Sequence, residues 1–153
     1  MQILTILELS LRISFLRGAG LTFTAVLAGS ALVACAEVPT AEVGDCINSS
    51  DLADDEIDEI TTVSCDEPHD LEVFHAFDLP EGDFPGEEAM SEAAEEECVG
   101  AFEDYVGLDY LDSELYITII NPTEDTWDTA DDREILCVLQ GEDATSSFKD
   151  SEI

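Results

Sequence analysis

The chain has 153 residues, with 38 Asp and Glu against four Lys and Arg, a formal net charge of -34. That length suits one domain with a single modest core. A surface so acidic has no cationic face to neutralise phosphates, which excludes nucleic acid as a partner and makes anionic headgroups a poor one. The 45% apolar content falls in periodic groups with aromatics, so the chain reads as a folded domain in an acidic shell rather than a disordered one.

Residues 1–34 read as a signal peptide of lipoprotein type. Arg12 and Arg17 are the only positive charges before residue 133, and they precede an apolar run (residues 21–28, LTFTAVLA) that ends in small residues. This is the order of a secretory signal. Leu32-Val33-Ala34-Cys35 resembles the bacterial lipobox, in which the cysteine takes diacylglycerol and becomes the new N-terminus. Cys35 is then the lipidation site, 35–43 a lipidated cysteine and short tether, and the domain a lipid-anchored one on the extracytoplasmic face of the cell membrane. Two acyl chains, at roughly 0.8 kcal/mol per buried CH2, hold such a domain durably where one does not. The alternative is an uncleaved membrane anchor, for which 19–34 is short and rich in Ala, Gly and Thr. Residues 1–11 are apolar and carry Glu8, unusual ahead of the charged region. Translation beginning nearer Arg12 accounts for them; if they are retained, they favour the anchor.

From Cys35 onward there are 37 acidic residues against Arg133 and Lys149 alone, a net of -35. Gly44-Asp45-Cys46 opens the ordered part, with Cys46-Ile47 a short strand and 48–59 an acidic loop. Residues 60–65 (ITTVSC) are β-branched and strand-like. The stretch 66–70, with Pro68 in its midst, reads as a turn. Residues 71–77 alternate, which puts Leu71, Val73, His75 and Phe77 on one face of a strand.

After the loop 80–86, the helix signal is the strongest in the chain. From Glu87 to Val106 the positions Met90, Ala94, Cys98, Phe102 and Tyr105 make one stripe, and Gly107 stands where a C-terminal cap belongs. Glu87 and Glu88 suit the positive end of the helix dipole, whereas Glu103 and Asp104 sit at the unfavourable end. Residues 114–120 read as a strand, 121–132 as an acidic turn holding Trp127, and 133–140 as a last strand. The remainder, 141–153, reads as a flexible acidic tail. The sum is an α+β domain over 44–140, one main helix packed on a small, mainly antiparallel sheet.

Cys46, Cys65, Cys98 and Cys137 form an even set in an exported domain, which indicates two disulfides. Three connectivities are possible. Packing favours Cys46–Cys65 with Cys98–Cys137, because Cys98 lies on the helix stripe and Cys137 on the Ile135/Cys137/Leu139 face of the last strand. A zinc site from Cys65 and His69 with Cys46 or His75 is the competing use. It lacks any CxxC or HxxxH pair and would sit in an oxidising compartment, so no metal or other cofactor is expected.

The order Gly44-Asp45-Cys46, then Val63 to His69 (VSCDEPH), Glu72-Val73, Phe84-Pro85-Gly86, Cys98, Phe102, Tyr105-Val106-Gly107, Pro122-Thr123, Trp127, Arg133 and Cys137 is similar to the septum-formation domain family of high-GC Gram-positive bacteria. The resemblance spans 44–140 and agrees with all four cysteine spacings; Cys65, Pro68 and His69 are its most specific step. It departs between Trp127 and Arg133, where a glycine is expected and 128–132 is DTADD. The resemblance implies a part in cell division or envelope organisation, with envelope or division proteins as partners, and supplies no catalytic residue.

His69 is the candidate recognition residue, or a general base, against the plainer role of filling a polar corner. There is no nucleophile elbow and no phosphate-binding glycine loop. The acidic runs 54–56 and 131–132 lack the oxygen spacing of an EF-hand. The expected function is therefore a non-catalytic surface binding or structural module. The alternatives are a low-affinity divalent-cation-binding lipoprotein and an envelope hydrolase. A deep pocket joining His69 to a buried acid would favour the hydrolase, and a shallow groove would favour the binder.

Overall fold

A computed structural model describes residues 38–52 and 59–153. The expected signal, Cys35 and the acidic run 54–56 lie outside the described residues. Among those described, no helix is long and apolar enough to cross a membrane.

The elements in chain order are β1 (Cys46–Ile47), β2 (Thr62–Val63), β3 (His69–Asp78), α1 (Glu87–Val106), β4 (Tyr116–Ile120), α2 (Glu124–Ala130) and β5 (Glu134–Ala144). The strands form one antiparallel sheet in the order β2-β1-β3-β5-β4. This is the α+β arrangement anticipated from the sequence, with the expected bridges Cys46–Cys65 and Cys98–Cys137, whose Cα atoms are 5.3 and 5.6 Å apart.

The helix stripe does what its spacing implies. Met90, Ala94, Cys98, Phe102 and Tyr105 are buried, with Val106 beside them, against Phe74, Ile135, Cys137 and Leu139 of the sheet. Gly107 ends the helix in the left-handed region at φ 85°, and its N–H donates to Glu103 O at 2.9 Å. A residue with a β carbon is strained there, which is why glycine closes so many helices. β5 is covered on both sides, since Leu136 and Val138 point away from the helix to meet Ile47, Ile60, Leu71 and Val73. A strand buried twice reads as an unbroken apolar run. The Cys98–Cys137 bond thus ties helix to central strand inside the core, and closing its loop of about 40 residues contributes roughly 4 kcal/mol in the entropic model.

Four expectations are corrected. The alternation of β3 breaks at Phe74, an extra residue between the pairs Val73↔Val138 and His75↔Cys137. This bulge reverses the phase, so Leu71 and Val73 join Ala76 in the second layer while Phe74 and Phe77 pack beneath the helix. The turn at 66–70 ends early, because His69 and Asp70 already belong to β3; the Asp70 carboxylate accepts from the Ser49 N–H at 2.7 Å and from its hydroxyl. The acidic turn around Trp127 is instead α2, opened by a reciprocal cap between Thr123 and Thr126.

The tail is the largest correction. β5 continues to Ala144, and the last residues then fold back over the helix. Phe148 is 3% exposed, and the Asp150 and Glu152 N–H groups donate to Tyr105 O at 2.9 Å and Val106 O at 3.0 Å. The ring of Phe148 lies so close to Gly141 that a β carbon there would stand 2.8 Å from its Cζ. Glycine permits that approach.

Candidate functional site

Where β1, β3, α1 and the C-terminal segment meet, a polar cluster is enclosed in the core. Glu72 is fully buried and His69 nearly so. Glu72 Oε1 accepts from the Tyr105 hydroxyl and the Ser147 hydroxyl, each at 2.6 Å, and Oε2 accepts from the Phe148 N–H at 2.6 Å. Three donors to one carboxylate offset much of the cost of burying it. Burial, then the hydrogen bond and charge of Glu72, push the Tyr105 phenol above its ordinary range, so it remains a donor. His69 Nδ1 lies 2.9 Å from Glu67 O, and its ring meets that of Phe148 edge-on at 5.7 Å.

His69 is therefore placed inside the domain rather than displayed for surface recognition. It does stand beside a buried acid, but at 1% exposure the imidazole offers no face to a substrate. Of the residues that complete the cluster, Glu72 and Tyr105 fall within the family-like pattern, but a lone Glu amid Leu71, Val73 and Phe74 and a lone hydroxyl on the helix stripe do not show that they meet, and Ser147 and Phe148 carry no signal of it. His75 stacks on Phe77 at 6.0 Å and joins no cluster with His69. The Cys46–Cys65 bond sits against His69 and Glu72, whereas Cys98–Cys137 is apart from them.

A second polar centre surrounds Arg133. Its NH1 donates to Trp127 O and Asp132 O, both at 2.9 Å, and NH2 meets Asp131 Oδ1 at 2.9 Å. The guanidinium carbon lies 3.8 Å from the Trp127 ring centroid, a cation–π geometry, and Trp127 Nε1 donates to Gly82 O at 3.0 Å. The only arginine after residue 34 is thus used to hold α2 and the 80–86 loop to β5. Asp131 occupies the left-handed region at φ 58° and caps α2. It lies in the stretch between Trp127 and Arg133 where a glycine is expected, and Asp is among the few other residues that tolerate that region.

A groove of about 430 Å3 opens between α1 and β4. Ala94, Val99, Tyr110, Ile117 and Ile119 make its apolar wall and Glu95 its rim. β4 is the last strand of the sheet, so one side of its backbone has no strand partner among the described residues. The same helix also carries exposed Glu88, Glu92 and Glu96.

These features define a small α+β domain stapled by two disulfides, with an enclosed polar cluster and an open acidic-rimmed groove. The model of the Septum formation family matches residues 39–152, and the chain belongs to that family. The match runs past Gly141, in keeping with a C-terminal segment that is part of the fold. No curated protein and no solved structure matches the chain.

Proposed function

We propose that the chain is a non-catalytic binding module, held at the outer face of the membrane by lipid on Cys35, whose groove between α1 and β4 takes an extended, Lys/Arg-containing segment of a division or envelope protein. Membership of the septum-formation family supports a cell-division-related role. The observation that carries the binding reading is the groove itself. A terminal strand offers unpaired N–H and C=O groups to an added strand, and Ile117 and Ile119 supply apolar contact. The exposed glutamates of α1 match a cationic partner, with an attraction that salt weakens. The enclosure of His69 and Glu72 counts against hydrolysis at that pair.

Two measurements test this. A photocrosslinking residue at Val99, on the groove, should label an envelope protein, with labelling competed by an added Lys-rich peptide and reduced by salt. The same residue at Val43, 52% exposed on another part of the domain, should not. Equal labelling at both positions, or none at Val99, overturns the groove. Cys35→Ser should abolish incorporation of a palmitate analogue and release the domain from membranes; unchanged labelling overturns the anchor.

A further inference from the structure

The enclosed cluster contains more ligand capacity than its fold uses. Cys46, Cys65, His69 and Glu72 each present one ligand atom, and these four atoms all lie within 4.8 Å of one another. The sheet brings them together: Cys46 pairs directly with Glu72 across β1 and β3 and with Val63 across β1 and β2. Residues three apart on a regular strand point to opposite faces. The register slips between His69 and Leu71, where β5 carries the extra residues, and at this frayed start of β3 the His69 ring lies on the side of Glu72. We propose that these four side chains become a zinc site when the Cys46–Cys65 bond is reduced, so that one corner of the domain is held by either a disulfide or a metal.

The donor chemistry favours this. Glu67 O can only accept, so the 2.9 Å contact makes His69 Nδ1 the donor, and in the neutral imidazole the lone pair then falls on Nε2. Nε2 is buried and has no hydrogen-bond partner among the described residues. An imidazole whose other nitrogen donates to a backbone carbonyl is the usual arrangement of a metal-ligating histidine. A carboxylate has about four lone-pair sites. Glu72 uses two on Oε1 and one on Oε2, which leaves one on Oε2. With two thiolates these make a four-coordinate set of nitrogen, oxygen and sulfur donors suited to zinc.

Tetrahedral zinc needs ligand atoms roughly 3.3–3.8 Å apart, so the sulfurs must separate while the other atoms draw in slightly. Cys65 lies in the turn between β2 and β3 and is only half-buried, unlike Cys46. It is the ligand free to shift, and the sulfur that a reductant reaches. Cys98 and Cys137 are wholly enclosed and are protected from the same attack.

The step balances with a dithiol reductant. The dithiol gives two electrons and two protons to the Cys46–Cys65 bond and becomes a disulfide itself, leaving two thiols. Zinc then displaces both thiol protons to solvent, so loading strengthens as pH rises.

The test uses the purified protein, treated with a dithiol until peptide mapping finds thiols at Cys46 and Cys65 with Cys98–Cys137 intact, then freed of reductant. One zinc per chain should bind, with release of two protons, whereas the oxidised protein should bind none. Cobalt in place of zinc should give a thiolate charge-transfer band and tetrahedral visible bands. His69→Ala and Glu72→Gln should each weaken binding at least tenfold; the cobalt spectrum of the unsubstituted protein serves if either variant misfolds. Zinc binding by the oxidised form, no binding by the reduced form, a cobalt spectrum without sulfur, or unchanged affinity in a folded His69→Ala variant would overturn the proposal. So would a reduced protein that unfolds and that zinc does not refold.

Discussion

Replacing Tyr105 by Phe probes the Glu72 cluster while keeping the ring that packs against Phe74, with centroids 6.0 Å apart. The change removes one oxygen and its 2.6 Å hydrogen bond to Glu72. A hydrogen bond to a charged group contributes about 1.5–3 kcal/mol. Ser147 and the Phe148 N–H still serve the carboxylate, so the variant should fold. With an unfolding entropy of about 2.1 cal/mol/K per residue, a domain of roughly 115 residues loses about 4 °C per kcal/mol, and Tm should fall by about 6–12 °C. A second signature lies in alkali. The folded phenol holds its proton more firmly than the unfolded one, chiefly through burial and then through Glu72. Its stabilising share is therefore whole below about pH 10 and declines above it, as the unfolded chain alone begins to ionise. Tyr105→Phe should lose that part of the decline. Thermal melts of the disulfide-intact domain at neutral pH measure the first effect, and urea melts from neutral to alkaline pH the second, with the midpoint moving at constant m. A midpoint equal to that of the unsubstituted protein, or an identical alkaline slope, would refute the account of the cluster.

Truncation after Ala144 removes Phe148 and two of the donors to Glu72; against a total stability of about 5–15 kcal/mol it should abolish cooperative melting, and native near-UV dichroism in the truncated protein would contradict this. Glu134 faces Asp78 directly across the sheet, and burial followed by Asp78 and Asp132 raises its carboxyl. Because the folded state then binds the proton more tightly, ionised Glu134 is a liability at neutral pH that acid relieves. Glu134→Gln should accordingly stabilise by about 0.2–1 kcal/mol at pH 7, an advantage that shrinks on acidification; no gain at pH 7 would count against it. Finally, like charges crowd more closely in the folded state, so NaCl should raise Tm with most of the gain at low concentration. A generic acidic shell predicts parallel, unsaturated responses to MgCl2 and CaCl2, whereas a saturable step with calcium alone would reveal a specific site.

Much of this fold was legible because its signals are local. The stripe from Met90 to Tyr105 needs only the helix period, and Gly107 only its freedom at positive φ. The packing argument for Cys98–Cys137 joined two such periodicities, one on a helix and one on a strand. What failed depends on contacts distant in sequence. The bulge at Phe74 breaks an alternation that looks regular in the chain, since nothing beside it shows that β5 supplies one residue fewer. α2 was hidden by acidic residues that read as a turn, although Thr123 and Thr126 cap it. The C-terminal segment is polar apart from Phe148 and Ile153 and has no period of its own. Its order comes from Gly141, which admits the Phe148 ring, and from Glu72, some 75 positions away in the chain, whose carboxylate needs donors that only this segment and Tyr105 bring. Charge, the cysteine pairing and the helix belong to the sequence by itself; the enclosure of His69, the sharing of Glu72 and the groove beside β4 arise only where strands meet, because burial and hydrogen-bond partners are properties of the folded neighbourhood.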